Sequence, residues 1–244
     1  TLGLEMMKGN LQKTEILARK FRVDNGLSPT EAINVKSLVR KLNIITVYRP
    51  LSKGAEGLSL CSYEGARFIL VNSNSSRGRQ HFTIAHELYH LFYDEDPRPH
   101  LCGLDGQSRE ERQANLFASA LLMPYDGILE MLSSQAVTTR KVSIALVLRL
   151  EQYFGVSRST MLLRLKEIGL ITESQYEELS SLSVRQTARE YGYDEALYRS
   201  GNEGLFIGDY GEKARMLFEA ELISEGHYDE LLNLIRYEQG GDSD

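Results

Sequence analysis

His81-Phe82-Thr83-Ile84-Ala85-His86-Glu87-Leu88-Tyr89-His90 is the stretch that decides how this chain is read. Its last five residues spell HExxH. On a helix, residues i and i+4 share a face, so His86 and His90 can aim both imidazoles at one Zn2+ ~2.0–2.1 Å away. Glu87 sits about 100° round, in reach of a water on such an ion without crowding it. A zinc ion lowers the pKa of that water towards ~7, and a neighbouring carboxylate takes the proton as attack on a carbonyl begins. Around the same helix Phe82, Ile84, Ala85, Leu88, Tyr89, Leu91 and Phe92 fill a wide apolar arc. His86, Glu87 and His90 are the polar stripe left over. A buried helix has to satisfy such a stripe, and a metal with its water does so.

Catalytic zinc keeps three protein ligands and one open position. Working towards the C-terminus, Glu111, Ala114, Asn115 and Ala118 fall at i, i+3, i+4 and i+7, one face of a second helix. Small residues on that face let two helices approach and bring Glu111 to the metal. Asn115, one turn on, can accept a hydrogen bond from the other nitrogen of a ligand imidazole. Rivals stand nearby. Asp96 lies six residues after His90, where a metzincin-type third ligand falls, although the glycine of such a turn is Tyr93 here. Asp94, at i+4 from His90, can support an imidazole. His100 and Cys102 are able ligands in a Pro-rich loop, and Glu110 points about 100° away from Glu111. Oxyanion donors are sought among Tyr93, His81 and Tyr89, of which Tyr89 lies in the apolar arc and reads as core.

Towards the N-terminus, residues 11–21 read as a helix. Ser28-Pro29-Thr30-Glu31 reads as the start of another, with Ser28 as its N-cap. Residues 44–48, 58–62 and 67–71 read as three short strands of a small antiparallel sheet. The edge of the 67–71 strand is a candidate rail for an extended substrate. From Gln80 onward the chain reads as helical, broken near 97–106, 124–127, Gly155, Gly169 and 201–208. The fold class is therefore α+β and mostly helical. Three regions are expected: a metal-bearing core over 1–136, a two-helix segment over 137–172, and an acidic helical region over 173–244.

The blocks HFTIAHELYH, Glu111-Arg112-Gln113-Ala114-Asn115-Leu116-Phe117-Ala118 and Leu121-Leu122-Met123-Pro124 together resemble the ImmA/IrrE family of metallopeptidases. Its pattern runs (R/Q)xFTxAHExxH, then ExxAxxFA and LLMP, and the likeness spans roughly residues 10–170. The resemblance implies a minimal zincin-like fold with a gluzincin-like HExxH…E site. It implies His86, His90 and Glu111 as zinc ligands and Glu87 as general base. Characterised members cleave helix-turn-helix repressors and so switch on stress, phage or mobile-element genes. Residues 141–152 and 157–168 fit the helix-turn-helix-like segment that often follows the family's peptidase core. His81 stands where the family more often has another polar or basic residue.

Charge bears on the alternatives. The 244 residues carry 28 Lys/Arg and 34 Asp/Glu, a net charge of -6. Counted along the chain, residues 1–136 hold 16 basic and 15 acidic side chains, 137–170 hold six and two, and 171–244 hold six and 17. The basic middle segment would suit a DNA reader, but Leu163 falls opposite Met161, Leu165 and Ile168. The second helix therefore reads as packed on both sides rather than open to a groove. The alternative function is a DNA-binding or toxin–antitoxin-type regulator whose metal site is structural or silent. A membrane span is excluded because no apolar run approaches ~18 residues. Two cysteines without a CxxC and no signal-peptide pattern suit the cytoplasm. Two histidines and a carboxylate also accept Mn2+ or other divalent ions.

Overall fold

The computed structural model describes residues 2–94, 100–102, 108–139 and 141–236. The chain opens with the long helix α1 (Leu2–Asp24), followed by the short α2 (Val35–Lys41) and the strands β1 (Ile44–Arg49), β2 (Gly57–Cys61) and β3 (Arg67–Asn72). The motif helix α3 (Arg77–Tyr93) comes next, then β4 (His100–Cys102) and α4 (Arg109–Leu122). Two short helices follow, α5 (Tyr125–Glu130) and α6 (Ser134–Thr139), then the pair α7 (Ile144–Phe154) and α8 (Arg158–Glu167). The remainder is α9 (Glu173–Ser180), α10 (Val184–Glu190), β5 (Phe206–Ile207), α11 (Tyr210–Glu219) and α12 (Glu225–Arg236). The fold is α+β and mostly helical, as the sequence predicts. No helix among the described residues is long and apolar enough to cross a membrane.

The sheet corrects the expected antiparallel arrangement. It is mixed, in the order β4-β2-β3-β1-β5. β1 runs parallel to β3, from Ile44 opposite Arg67 to Arg49 opposite Asn72, while β2 is antiparallel to β3. Adjacent strands in sequence normally neighbour each other in space, but the loop over residues 50–56 carries the chain past the end of β3. Asn72 pins that loop, accepting from Leu51 N at 3.1 Å and donating to Ala55 O at 2.7 Å. β3 is therefore an interior strand and offers no free edge to a substrate. One face of β1 and β3 (Ile44, Tyr48, Ile69, Val71) is buried with Ile84 and Leu88 of α3 and Phe117 and Leu121 of α4.

The expected helix at Ser28 is also corrected. Ser28 Oγ accepts from Thr30 N and Glu31 N in a turn, and α2 starts only at Val35, capped by Asn34. The reason lies in Arg22, whose buried guanidinium donates to Ser28 O at 2.6 Å and Glu31 O at 2.8 Å. Those carbonyls face the arginine instead of entering a helical ladder. The same guanidinium donates from Nε to Leu121 O at 2.8 Å, which ties α1 to the end of α4. Beside it Phe21 meets Phe92 and Phe117 edge to face, at 5.4 and 5.7 Å, so α1, α3 and α4 share one aromatic knot.

Gly155 turns α7 into α8 in the left-handed conformation, φ 66°, and Ser157 caps α8 through Thr160 N. Leu163 is 44% exposed, so the expectation of α8 packed on both sides through that residue is overturned. The two arginines do the burying instead. Arg158 pairs with Glu151 and donates to Thr187 Oγ1 at 3.0 Å; Arg164 pairs with Glu15 and donates to Met123 O at 3.0 Å. Two of the six basic charges of residues 137–170 are thus spent inside the protein. β5 joins the sheet beside β1, pairing Ile207 with Thr46 and Phe206 with Val47.

Candidate metal centre

α3 and α4 pack side by side, and the site lies between them. Serine N-caps begin both helices, and the Ser108 hydroxyl accepts from Glu111 N at 3.1 Å, fixing the first turn of α4. Ala114 and Ala118 are fully buried, the small face expected of a close helix contact. Glu111 thereby reaches across to α3. His86 Nε2 and His90 Nε2 stand 3.1 Å apart. Glu111 Oε2 is 3.4 Å from His86 Nε2 and Glu111 Oε1 is 3.4 Å from His90 Nε2. The three side chains are only 1%, 3% and 8% exposed for His86, His90 and Glu111.

These separations test whether a metal fits. Ligand atoms ~2.05 Å from a tetrahedral ion stand about 3.3 Å from one another. The observed triangle matches that spacing with no side chain moved. The far nitrogens point the same way: His86 Nδ1 lies 3.0 Å from Asn115 Oδ1, and His90 Nδ1 lies 2.7 Å from Asp94 Oδ2. Oxygen acceptors at Nδ1 hold the proton there and leave each Nε2 lone pair facing the common centre. Two lone pairs and a carboxylate converging in a buried place call for a cation.

Glu87 is fully buried, one residue round the helix from His86. β2 crosses close over it. A Cβ built on Gly57 would lie 2.5 Å from Thr83 Cγ2, 3.0 Å from Leu70 O and 3.6 Å from Glu87 Oε1. A glycine at the head of a strand, Gly57 at the start of β2, is the one sequence sign of such an approach.

The other candidates lie elsewhere. The Tyr93 ring packs on Phe117 at 5.4 Å and Tyr89 at 5.6 Å, and burial with the Asp24 charge raises its hydroxyl above the usual range. Tyr89 OH donates to Gln113 Oε1 at 2.8 Å, bridging α3 to α4. His81 Nδ1 lies 2.7 Å from Gly155 O, so this ring ties α3 to the turn between α7 and α8. Burial lowers its pKa, the Gly155 contact opposes that, and the charges of Lys36 and Arg77 add to the lowering. Glu110 is exposed, and its own turn with Ser108 holds its pKa low. Asp96 and the side chains of His100 and Cys102 lie outside the described residues.

A family model for peptidase family M78, the IrrE N-terminal-like domain, matches residues 39–166. The chain belongs to the M78 peptidases. Among curated proteins, none matches it. For an M78 metallopeptidase the cluster of His86, His90 and Glu111 is a possible divalent-metal site, and its ligand atoms all lie within 4.8 Å of one another. The matched segment runs from within α2 to the last turn of α8 and so holds every residue of that cluster. β5, although part of the M78 chain's sheet, lies beyond it.

Proposed function

We propose that this M78 peptidase is a zinc-dependent endopeptidase of the HExxH…E type, with His86, His90 and Glu111 as metal ligands. A bound divalent ion would supply a Lewis acid for the scissile carbonyl and acidify the attacking water. Glu87 takes the proton of that water on its carboxylate and returns it to the leaving amine. Asn115 and Asp94 hold the two imidazoles in the tautomer that presents the Nε2 lone pair to a metal. Tyr93 and His81 take no step, their rings being engaged with the aromatic knot and with Gly155.

The observation that carries the proposal is the triangle of 3.1, 3.4 and 3.4 Å between three buried ligand atoms, with Glu87 beside it. The resemblance to the ImmA/IrrE peptidases supports a helix-turn-helix repressor as substrate, cleaved to derepress stress, phage or mobile-element genes. The buried Arg158 and Arg164 weigh against the DNA-binding alternative. The test is to incubate Zn2+-loaded protein with helix-turn-helix repressors from its own genome, neighbouring genes first, and identify products by mass spectrometry. Cleavage is expected with wild type and is lowered ~10^2–10^4-fold in Glu87→Gln. Equal activity in the two would sink the role of Glu87, and no product with Zn2+ or Mn2+ would sink the proposed substrate.

A further inference from the structure

We infer that residues 199–207, beyond the family-matched segment, are a working part of the metal site, and that Asn202 is a positioning residue for the helix carrying both histidines. This rests on the metal-centre reading above, though not on the identity of the substrate.

Gln80 is a fully buried polar side chain in the first turn of α3. A buried amide needs partners for both its ends. Its Nε2 donates to Ser75 O at 2.8 Å and to Gly201 O at 2.9 Å, and its Oε1 accepts from Asn202 Nδ2 at 2.7 Å. Asn202 in turn accepts from Lys36 Nζ at 2.8 Å, linking α2 to the same point. Its backbone is left-handed, φ 65°, a conformation that asparagine tolerates better than most residues. Main-chain bonds fasten the rest of the segment: Arg77 N to Arg199 O at 2.9 Å, Gly204 N to Tyr48 O at 3.1 Å and Tyr48 N to Leu205 O at 3.0 Å. β5 then pairs with β1. The segment is a clasp closed over the start of α3 and the edge of the sheet together.

Gln80 precedes His86 by six residues, about 9 Å along a continuous helix. Packed helices move as units, so a shift at the clasp is carried to both imidazoles. Metal ligands work within a tolerance of about 0.5 Å. The clasp's hydrogen bonds run to α2, α3 and β1, whereas Glu111 sits on α4, so loosening the clasp moves two ligands relative to the third.

The experiment uses the full chain. Asn202→Gly keeps the left-handed backbone and deletes the amide; Asn202→Asp keeps the acceptor for Lys36 but loses the donor to Gln80. Thr187→Val, which removes a partner of Arg158 on α10 and outside residues 199–207, is the control for general destabilisation. Zn2+ affinity is measured by chelator competition, the visible spectrum with Co2+ bound, and melting temperature without metal. Both Asn202 variants are expected to lose affinity about three- to tenfold, less than the ~10–100-fold of a direct partner of a ligand, and to change the Co2+ spectrum. Thr187→Val should lower the melting temperature and leave both metal readouts alone. If Asn202→Gly does not fold, Asn202→Asp and Lys36→Met carry the test. Unchanged affinity and spectrum in the folded Asn202 variants would overturn the inference, as would an equal change in Thr187→Val. Wild type that binds Zn2+ yet cleaves nothing would sink the proposed reaction and leave the clasp standing.

Discussion

His90 Nδ1 and Asp94 Oδ2 lie 2.7 Å apart, one turn along the same helix, with Asp94 as the residue at which α3 ends. The second imidazole has a different support, the neutral amide of Asn115 on α4, at 3.0 Å. One histidine is thus steadied by a carboxylate from its own helix and the other by an amide from its neighbour.

Asp94→Asn is expected to weaken Zn2+ binding ~10–100-fold, with Asn115→Ala milder because it removes a neutral acceptor. Chelator competition at fixed pH measures both. Equal losses would contradict the ranking of carboxylate over amide.

Arg22→Met should destabilise the protein by about 3 kcal/mol or more, because Ser28 O, Glu31 O and Leu121 O would each lose their buried donor. Urea unfolding of the metal-free chain reads this. A change below about 1 kcal/mol would show that water replaces the guanidinium at these carbonyls.

The sequence and the structure agree where chemistry is local and part where it is not. HExxH puts His86 and His90 one turn apart whatever surrounds them. The pattern of Glu111, Ala114, Asn115 and Ala118 marks a helix face without a partner being known. The parallel pairing of β1 with β3 could not be read, because a loop pinned by Asn72 decides it. Ser28 misled for a similar reason, its carbonyl being drawn to an arginine six residues earlier. Phe206 and Ile207 are too short a run to signal a strand.

His81 gives a prediction on pH. Its folded pKa lies below that of the unfolded chain, chiefly through burial. Between those two values the unfolded chain binds more protons, so stability rises with pH there. His81 therefore contributes stability that is full above about 6.5 and is lost as pH falls through and below that value. His81→Gln, which can still donate to Gly155 O, should show a flatter decline than wild type from pH 7.5 to pH 5 in urea unfolding. Parallel declines would remove His81 as the cause.

Arg158→Ala should destabilise by about 3 kcal/mol, since it leaves the buried Glu151 carboxylate without its cation and with the Tyr198 hydroxyl as a neutral donor. The same variant should leave any weak, salt-sensitive affinity for duplex DNA unchanged. Loss of sequence-specific DNA binding in Arg158→Ala at full stability would reopen the regulator reading.

Asn202 meets Gln80 across 122 residues of chain. A ribosome makes the motif helix long before it makes the segment that closes over it. During synthesis α3 therefore waits without its clasp, and the sheet waits without its outer strand. On the clasp inferred above, the metal centre reaches its final geometry only once residue 207 has been synthesised.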